Sequence, residues 1–190
     1  MNKFALTIGL SVAAGVVASP IQAAETHNAF FEALSALCGG KYQGQVVESN
    51  ESDAKWRDSV IIMDVAECSD ETIRIPLSVG EDTSRTWIIT LGEGLTLKHD
   101  HRHQDGTPDQ VTMYGGEANE TIVSIAGALF IREFPADAYS KALFLENGLD
   151  ESVNNTWVLK IMPGKTFSYR LQRPGRTFQI DFDLEKPLDY

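Results

Sequence analysis

The last third of the chain alternates apolar and polar residues with a period of two, which is the strongest constraint on its fold. Trp157, Leu159 and Ile161 alternate with Val158 and Lys160 before Pro163-Gly164-Lys165. Phe167, Tyr169 and Leu171 alternate with Ser168, Arg170 and Gln172 before Arg173-Pro174-Gly175-Arg176. Phe178, Ile180, Phe182 and Leu184 alternate with Gln179, Asp181 and Asp183. Successive strand side chains point to opposite faces, so each segment reads as a strand with one apolar face. The turns between them are too short for a crossover, so the strands are antiparallel hairpin neighbours. Phe178, Ile180, Phe182 and Leu184 are expected to face one interior with Trp157, Leu159, Phe167, Tyr169 and Leu171.

The same period recurs upstream. Lys41–Glu48 and Val60–Glu67 form an expected hairpin, the second strand apolar on both faces and therefore covered on both. Ile73, Ile75, Leu77 and Val79 alternate with Thr72, Arg74, Pro76 and Ser78, and Pro76, lacking an N–H, marks an edge or a bulge. Arg85, Trp87 and Ile89 share a face in the next strand, and Gly92-Glu93-Gly94 turns into another. Val111–Tyr114 reads as a returning strand ended by Gly115-Gly116. The register of 122–131 is undetermined, Arg132-Glu133 reads as a surface pair, and 134–144 as a loop with one helical turn. Before the strands, Phe30, Leu34 and Leu37 recur at helical spacing, giving a helix over 26–37 stopped by Gly39-Gly40. Such a helix packs on a core as a plug or lid.

Eight to ten short strands in series with few helices predict a mainly β fold: an antiparallel up-and-down β-barrel with a short N-terminal helix. Two further features carry a resemblance. Gly40-Lys41-Tyr42, following the helix, resembles the Gly-x-Trp step that opens lipocalin-like (calycin-type) barrels, with tyrosine in place of tryptophan. The wider pattern resembles a group of exported bacterial proteins. It comprises Gly80-Glu81-Asp82, Arg85-Thr86-Trp87, Leu97 to His103, Tyr114-Gly115-Gly116 and Phe134 to Asp137. The resemblance implies a lipocalin-like barrel and no mechanism.

Residues 1–23 read as a cleaved secretory signal peptide. Met1-Asn2-Lys3 is basic, Phe4–Val17 is apolar but too short for a span of about 20 residues, and Ala18–Ala24 is rich in small residues. Residues 24–190 are then a single β-barrel domain, periplasmic or secreted. Lys3 is the leader's one charged residue, so cleavage moves the formal net charge from −11 to −12. That acidity disfavours nucleic acid and anionic membrane surfaces as partners. No later stretch is long and apolar enough to span a membrane as a helix. An oxidising compartment makes a disulfide the default for Cys38 and Cys68, which lie just outside the open end of the Lys41–Glu48/Val60–Glu67 hairpin.

Chemistry concentrates in Leu95–Gly106. Leu95, Leu97, His99, His101 and His103 occupy alternate positions, so a face that starts apolar ends in three imidazoles. Imidazole suits Zn and Cu, which makes His99, His101, His103 and Asp105 a candidate metal set. Metallo-β-lactamase-like, cupin and amidohydrolase-like sites each require histidines beyond His103, and none follows. A polar barrel mouth is the other use of this face. Arg85, Trp87, His99, His101 and Tyr114 are then candidate ligand-binding residues, with Arg85 either meeting an anionic head group or stacked on Trp87. No Gly-x-Ser-x-Gly, no P-loop and no Cys–His pair at a recognisable spacing is present, which disfavours a hydrolase. The expectation is an exported small-ligand-binding or structural barrel, with transition-metal binding as the rival.

Overall fold

The computed structural model describes residues 20–119, 123–124 and 128–189. The expected leader lies outside these residues except for its last four positions, which open the first helix. In chain order the elements are α1 (Pro20–Ser35), β1 (Lys41–Glu48), α2 (Ala54–Arg57), β2 (Ile61–Asp64), β3 (Glu67–Cys68), β4 (Thr72–Val79), β5 (Asp82–Leu91) and β6 (Leu95–His101). There follow β7 (Tyr114–Glu117), β8 (Val123–Ser124), β9 (Phe130–Pro135), α3 (Ala138–Glu146), β10 (Thr156–Met162), β11 (Thr166–Arg173) and β12 (Arg176–Asp183). All strands lie in one antiparallel sheet of order β7-β6-β5-β4-β2-β1-β12-β11-β10-β9-β8, with β3 also on β4. Except at β2/β3 and β7/β8, neighbours in sequence are neighbours in space, and β12 returns to β1, so the sheet is an up-and-down barrel that is nearly closed.

The closing line runs between β7 and β9. Among the described residues two backbone hydrogen bonds cross it, from Asn119 N to Glu133 O and from Asp137 N to Gly115 O, each 2.9 Å. Gly115 and Gly116 do not end the strand as expected; they lie inside β7, which begins at Tyr114 rather than Val111. The cause is close packing on both sides. A Cβ at Gly115 would run into the Leu97 carbonyl, and one at Gly116 into the Pro135 carbonyl. Only glycine lets β7 sit between β6 and β9.

The expected interior is present. Phe178, Ile180, Phe182 and Leu184 are buried together with Phe167, Tyr169, Trp157 and Leu159, and Leu171 is half-buried against them. One strand differs from its expected pattern: Ile61, Met63 and Val65 are buried, whereas Val60 is exposed, so only one face of β2 is covered. Pro76 is not on an edge strand: it pairs with Thr86 of β5 and, on the other side of β4, falls between the stretches paired to β2 and to β3.

The helix starts and ends earlier than expected, at Pro20 and Ser35; it buries Phe30, Phe31 and Leu34 in the barrel core near Leu91, and Leu37 joins them from the turn that follows. Cys38 and Cys68 are joined by a disulfide that ties this region to β3. Arg132 is not a surface residue. It is fully buried in β9, lies over the Phe30 ring at 5.5 Å and donates to the Ile131 carbonyl. Burial lowers its pKa to about 10. Phe134 and Pro135 belong to β9 rather than to a loop, and α3 is a full helix capped by the Asp137 carboxylate, which accepts from Ser140 N. No helix among the described residues is long and apolar enough to cross a membrane.

Candidate functional site

The barrel end opposite α1 opens into a cavity of about 510 Å³. Its first wall follows from strand register. Arg85 pairs with His101 and Trp87 with His99 across β5 and β6, and His99 pairs with Tyr114 across β6 and β7. Leu95 and Leu97 are buried inward, so period two carries His99 and His101 to the same side. All five candidate ligand-binding residues therefore line one cavity. Trp157, Tyr169 and Phe178 line it from β10, β11 and β12, and Phe144 from α3.

The deep part of the cavity is a chain of hydrogen bonds. Tyr114 O lies 3.2 Å from His99 Nδ1, and Tyr169 Oη lies 2.8 Å from His99 Nε2. A carbonyl only accepts, so Nδ1 carries the proton and donates, and the Tyr169 hydroxyl donates to Nε2. Tyr114 Oη is 2.9 Å from His101 Nε2. His99 is 3% exposed, and burial lowers its pKa to about 3, with the His101 and Lys98 charges acting the same way against the Tyr114 carbonyl. Burial also lowers the His101 pKa, followed by the Arg85 charge, against Asp109, Asp82 and Asp100. Burial pushes the Tyr114 hydroxyl up to about 12 and the Tyr169 hydroxyl well above its ordinary value. Both imidazoles and both phenols are thus neutral at neutral pH.

Cations stand at the rim. Arg85 Nη1 donates to Asp82 Oδ2 at 2.8 Å, and the guanidinium lies 5.1 Å from the centre of the Trp56 ring. The expected stacking of Arg85 on Trp87 does not occur. Trp87 instead stacks on Tyr169, with centroids 4.3 Å apart and planes 7° from parallel. Burial pushes the Asp82 carboxyl up, but hydrogen bonds from Ser84 and Arg85 outweigh it and hold the pKa far below the ordinary value.

Two segments cover the rim, and sequence reading picked out neither. Between β1 and β2, a 3₁₀ turn (Glu51–Asp53) leads into α2. Asp53 is 4% exposed and accepts from Arg176 Nη2 at 2.7 Å and Nη1 at 3.3 Å, while the Trp56 ring meets Phe178 edge-on at 5.2 Å. On the other side, Asp150–Asn154 forms a second 3₁₀ turn. Arg173 holds it by donating to Glu151, Ser152 and Asn155. These contacts join residues far apart in sequence. A legible signal was the pair of arginines in the Arg173-Pro174-Gly175-Arg176 turn, both set at the mouth.

The candidate metal set is not assembled. His103 and Asp105 lie beyond the end of β6 and are exposed, and Asp105 is bonded to Thr107. His99 is buried with both ring nitrogens engaged by tyrosines. No group of three His, Cys, Asp or Glu side chains among the described residues is placed to hold a metal ion. The alternation brings His99 and His101 together, but the chain turns away before His103.

Searches against protein-family models, curated proteins and solved structures return no match for this chain.

Proposed function

We propose that the protein is an exported β-barrel that binds a small molecule in its mouth cavity. The observation that carries this reading is the convergence of Arg85, Trp87, His99, His101 and Tyr114 on one space of about 510 Å³. Small-molecule sites commonly enclose about 300–1,000 Å³, with mainly apolar and aromatic walls and a few oriented polar groups. Neutral imidazoles and phenols line the space without the desolvation cost of buried charges, and His101 Nδ1 has no partner among the described residues. A purely structural barrel has no need of an unfilled mouth. The Cys38–Cys68 bond supports export, since such bonds persist in oxidising compartments.

The test uses N-phenyl-1-naphthylamine, an uncharged fluorophore that brightens in apolar sites. The protein should take it up at one site per chain. Leu171→Trp, which fills part of the cavity from β11, should weaken uptake while keeping the thermal midpoint near that of the parent. No uptake, or uptake unchanged in Leu171→Trp, would remove the reading.

A further inference from the structure

Three arginines line the mouth cavity, and two have both Nη atoms engaged. Arg173 Nη1 donates to Ser152 and Asn155 while its Nη2 donates to Glu151. Both Nη atoms of Arg176 are on the Asp53 carboxylate, and Nη1 also donates to Ser52. Arg85 differs. It donates through Nη1 alone, and its Nε and Nη2 have no hydrogen-bond partner among the described residues. Its side chain is 23% exposed, so those two donors are available in the cavity wall.

Beside Arg85, at the paired position of β6, stands His101. Tyr114 engages its Nε2, and its Nδ1 has no partner among the described residues. The carboxylates that line or flank this wall have partners of their own: Asp53 has Arg176, Asp82 has Arg85, Lys55 and the Ser84 amide, Asp100 has Arg74 and Arg102, and Asp109 accepts from the Val111 amide. Trp56, Tyr114, Phe144, Trp157 and Phe178 supply the rings of the wall, with Val111, Leu149 and Leu171 as aliphatic and Ser52, Ser152 and Asn155 as polar neighbours.

We propose that the ligand is an aromatic carboxylate, its anion held by Arg85 Nε and Nη2 beside His101 and its ring enclosed by the aromatic wall. This rests on the cavity being the binding site. A guanidinium edge with two parallel N–H groups matches the two oxygens of a carboxylate. A single free edge suits one negative charge, whereas a phosphate dianion would bring more charge than this wall balances. Flat rings of the wall favour a flat body over a flexible chain, because they meet it by stacking and edge contacts.

The experiment displaces N-phenyl-1-naphthylamine with three competitors of chosen shape: 2-naphthoate, its uncharged analogue 2-naphthamide, and decanoate. In the parent protein 2-naphthoate should compete at least about tenfold better than either of the others, as expected for a charge-assisted pair. Arg85→Gln should abolish the preference for naphthoate over naphthamide, and Arg85→Lys should keep part of it. Circular dichroism and the thermal midpoint establish that both variants fold; if Arg85→Gln does not, Arg85→Lys with a reduced preference carries the test. Equal displacement by naphthoate and naphthamide would overturn the carboxylate assignment and leave the cavity reading standing. Equal displacement by decanoate would overturn the aromatic assignment. A preference retained in Arg85→Gln would overturn the role of Arg85. Failure of the fluorophore itself to bind would overturn the cavity reading, and this proposal with it.

Discussion

His99 and Tyr169 come from strands 70 residues apart and share a 2.8 Å hydrogen bond across the barrel interior. The bond needs an unprotonated Nε2, because Nδ1 already gives its proton to the Tyr114 carbonyl. Burial holds the native pKa near 3, against about 6.5 in an unfolded chain. Above pH 6.5 the ring is neutral in both states and contributes no pH dependence. Below it the unfolded chain binds a proton that the native state refuses, so stability falls as pH falls from about 6.5 to about 3. The loss approaches about 1.4 kcal/mol per pH unit inside that window. Urea unfolding between pH 7 and pH 4 should show it, and His99→Gln should flatten the slope attributable to this residue.

Asp53 holds the β1–β2 segment over the cavity through Arg176. Asp53→Ala should cost about 1–3 kcal/mol, the range for leaving a charged, partly buried partner unpaired. The effect should be regional. Hydrogen exchange is expected to accelerate over 51–57 while the amides of β10 and β11 keep their protection, and naphthylamine should enter and leave the mouth faster.

Gly116→Ala sets a Cβ against a backbone carbonyl at the closing line, which cannot move as a flexible side chain would. A loss of about 1–3 kcal/mol is expected, as for an overpacked interior position. Gly92→Ala is the comparison: nothing lies within 4 Å of its added Cβ, and its thermal midpoint should stay close to that of the parent.

The disulfide spans 30 residues. Replacing both Cys38 and Cys68 by serine should lower stability by roughly 3–4 kcal/mol on the loop-entropy account. Chemical denaturation with and without reductant measures it. The parent in reductant should approach the double variant, and the variant should not respond.

What was legible in the sequence is what repeats. Phe178, Ile180 and Phe182 declare their buried face because a one-residue slip would expose all of them. The same rule set His99 and His101 inward, and the paired strand brought Tyr114 to them. Singular features stayed hidden. Arg132 looked like half of a surface ion pair, yet strand alternation with Phe130 and Phe134 puts it inside. Gly115-Gly116 carried a turn signal, and only the approach of two neighbouring carbonyls gives them their use in mid-strand. Asp53 and Trp56 sit in the short helical turns between β1 and β2, and Arg173 and Arg176 at the facing ends of β11 and β12; none is marked by a period, and the contacts of Asp53 with Arg176 and of Trp56 with Phe178 exist only once β1 and β12 have paired.

The closing line has a mechanical consequence. Around most of the circumference, adjoining strands are tied by continuous ladders, whereas among the described residues two backbone bonds join the β7 and β9 sides of the closing line. A cylinder with one weakly stitched seam has little resistance to opening along that seam and much elsewhere. Tyr114 stands at the mouth end of that seam, where β7 begins. If the mouth yields to a broad ligand, the Tyr114 wall is expected to move before the β10–β12 wall, which continuous ladders hold.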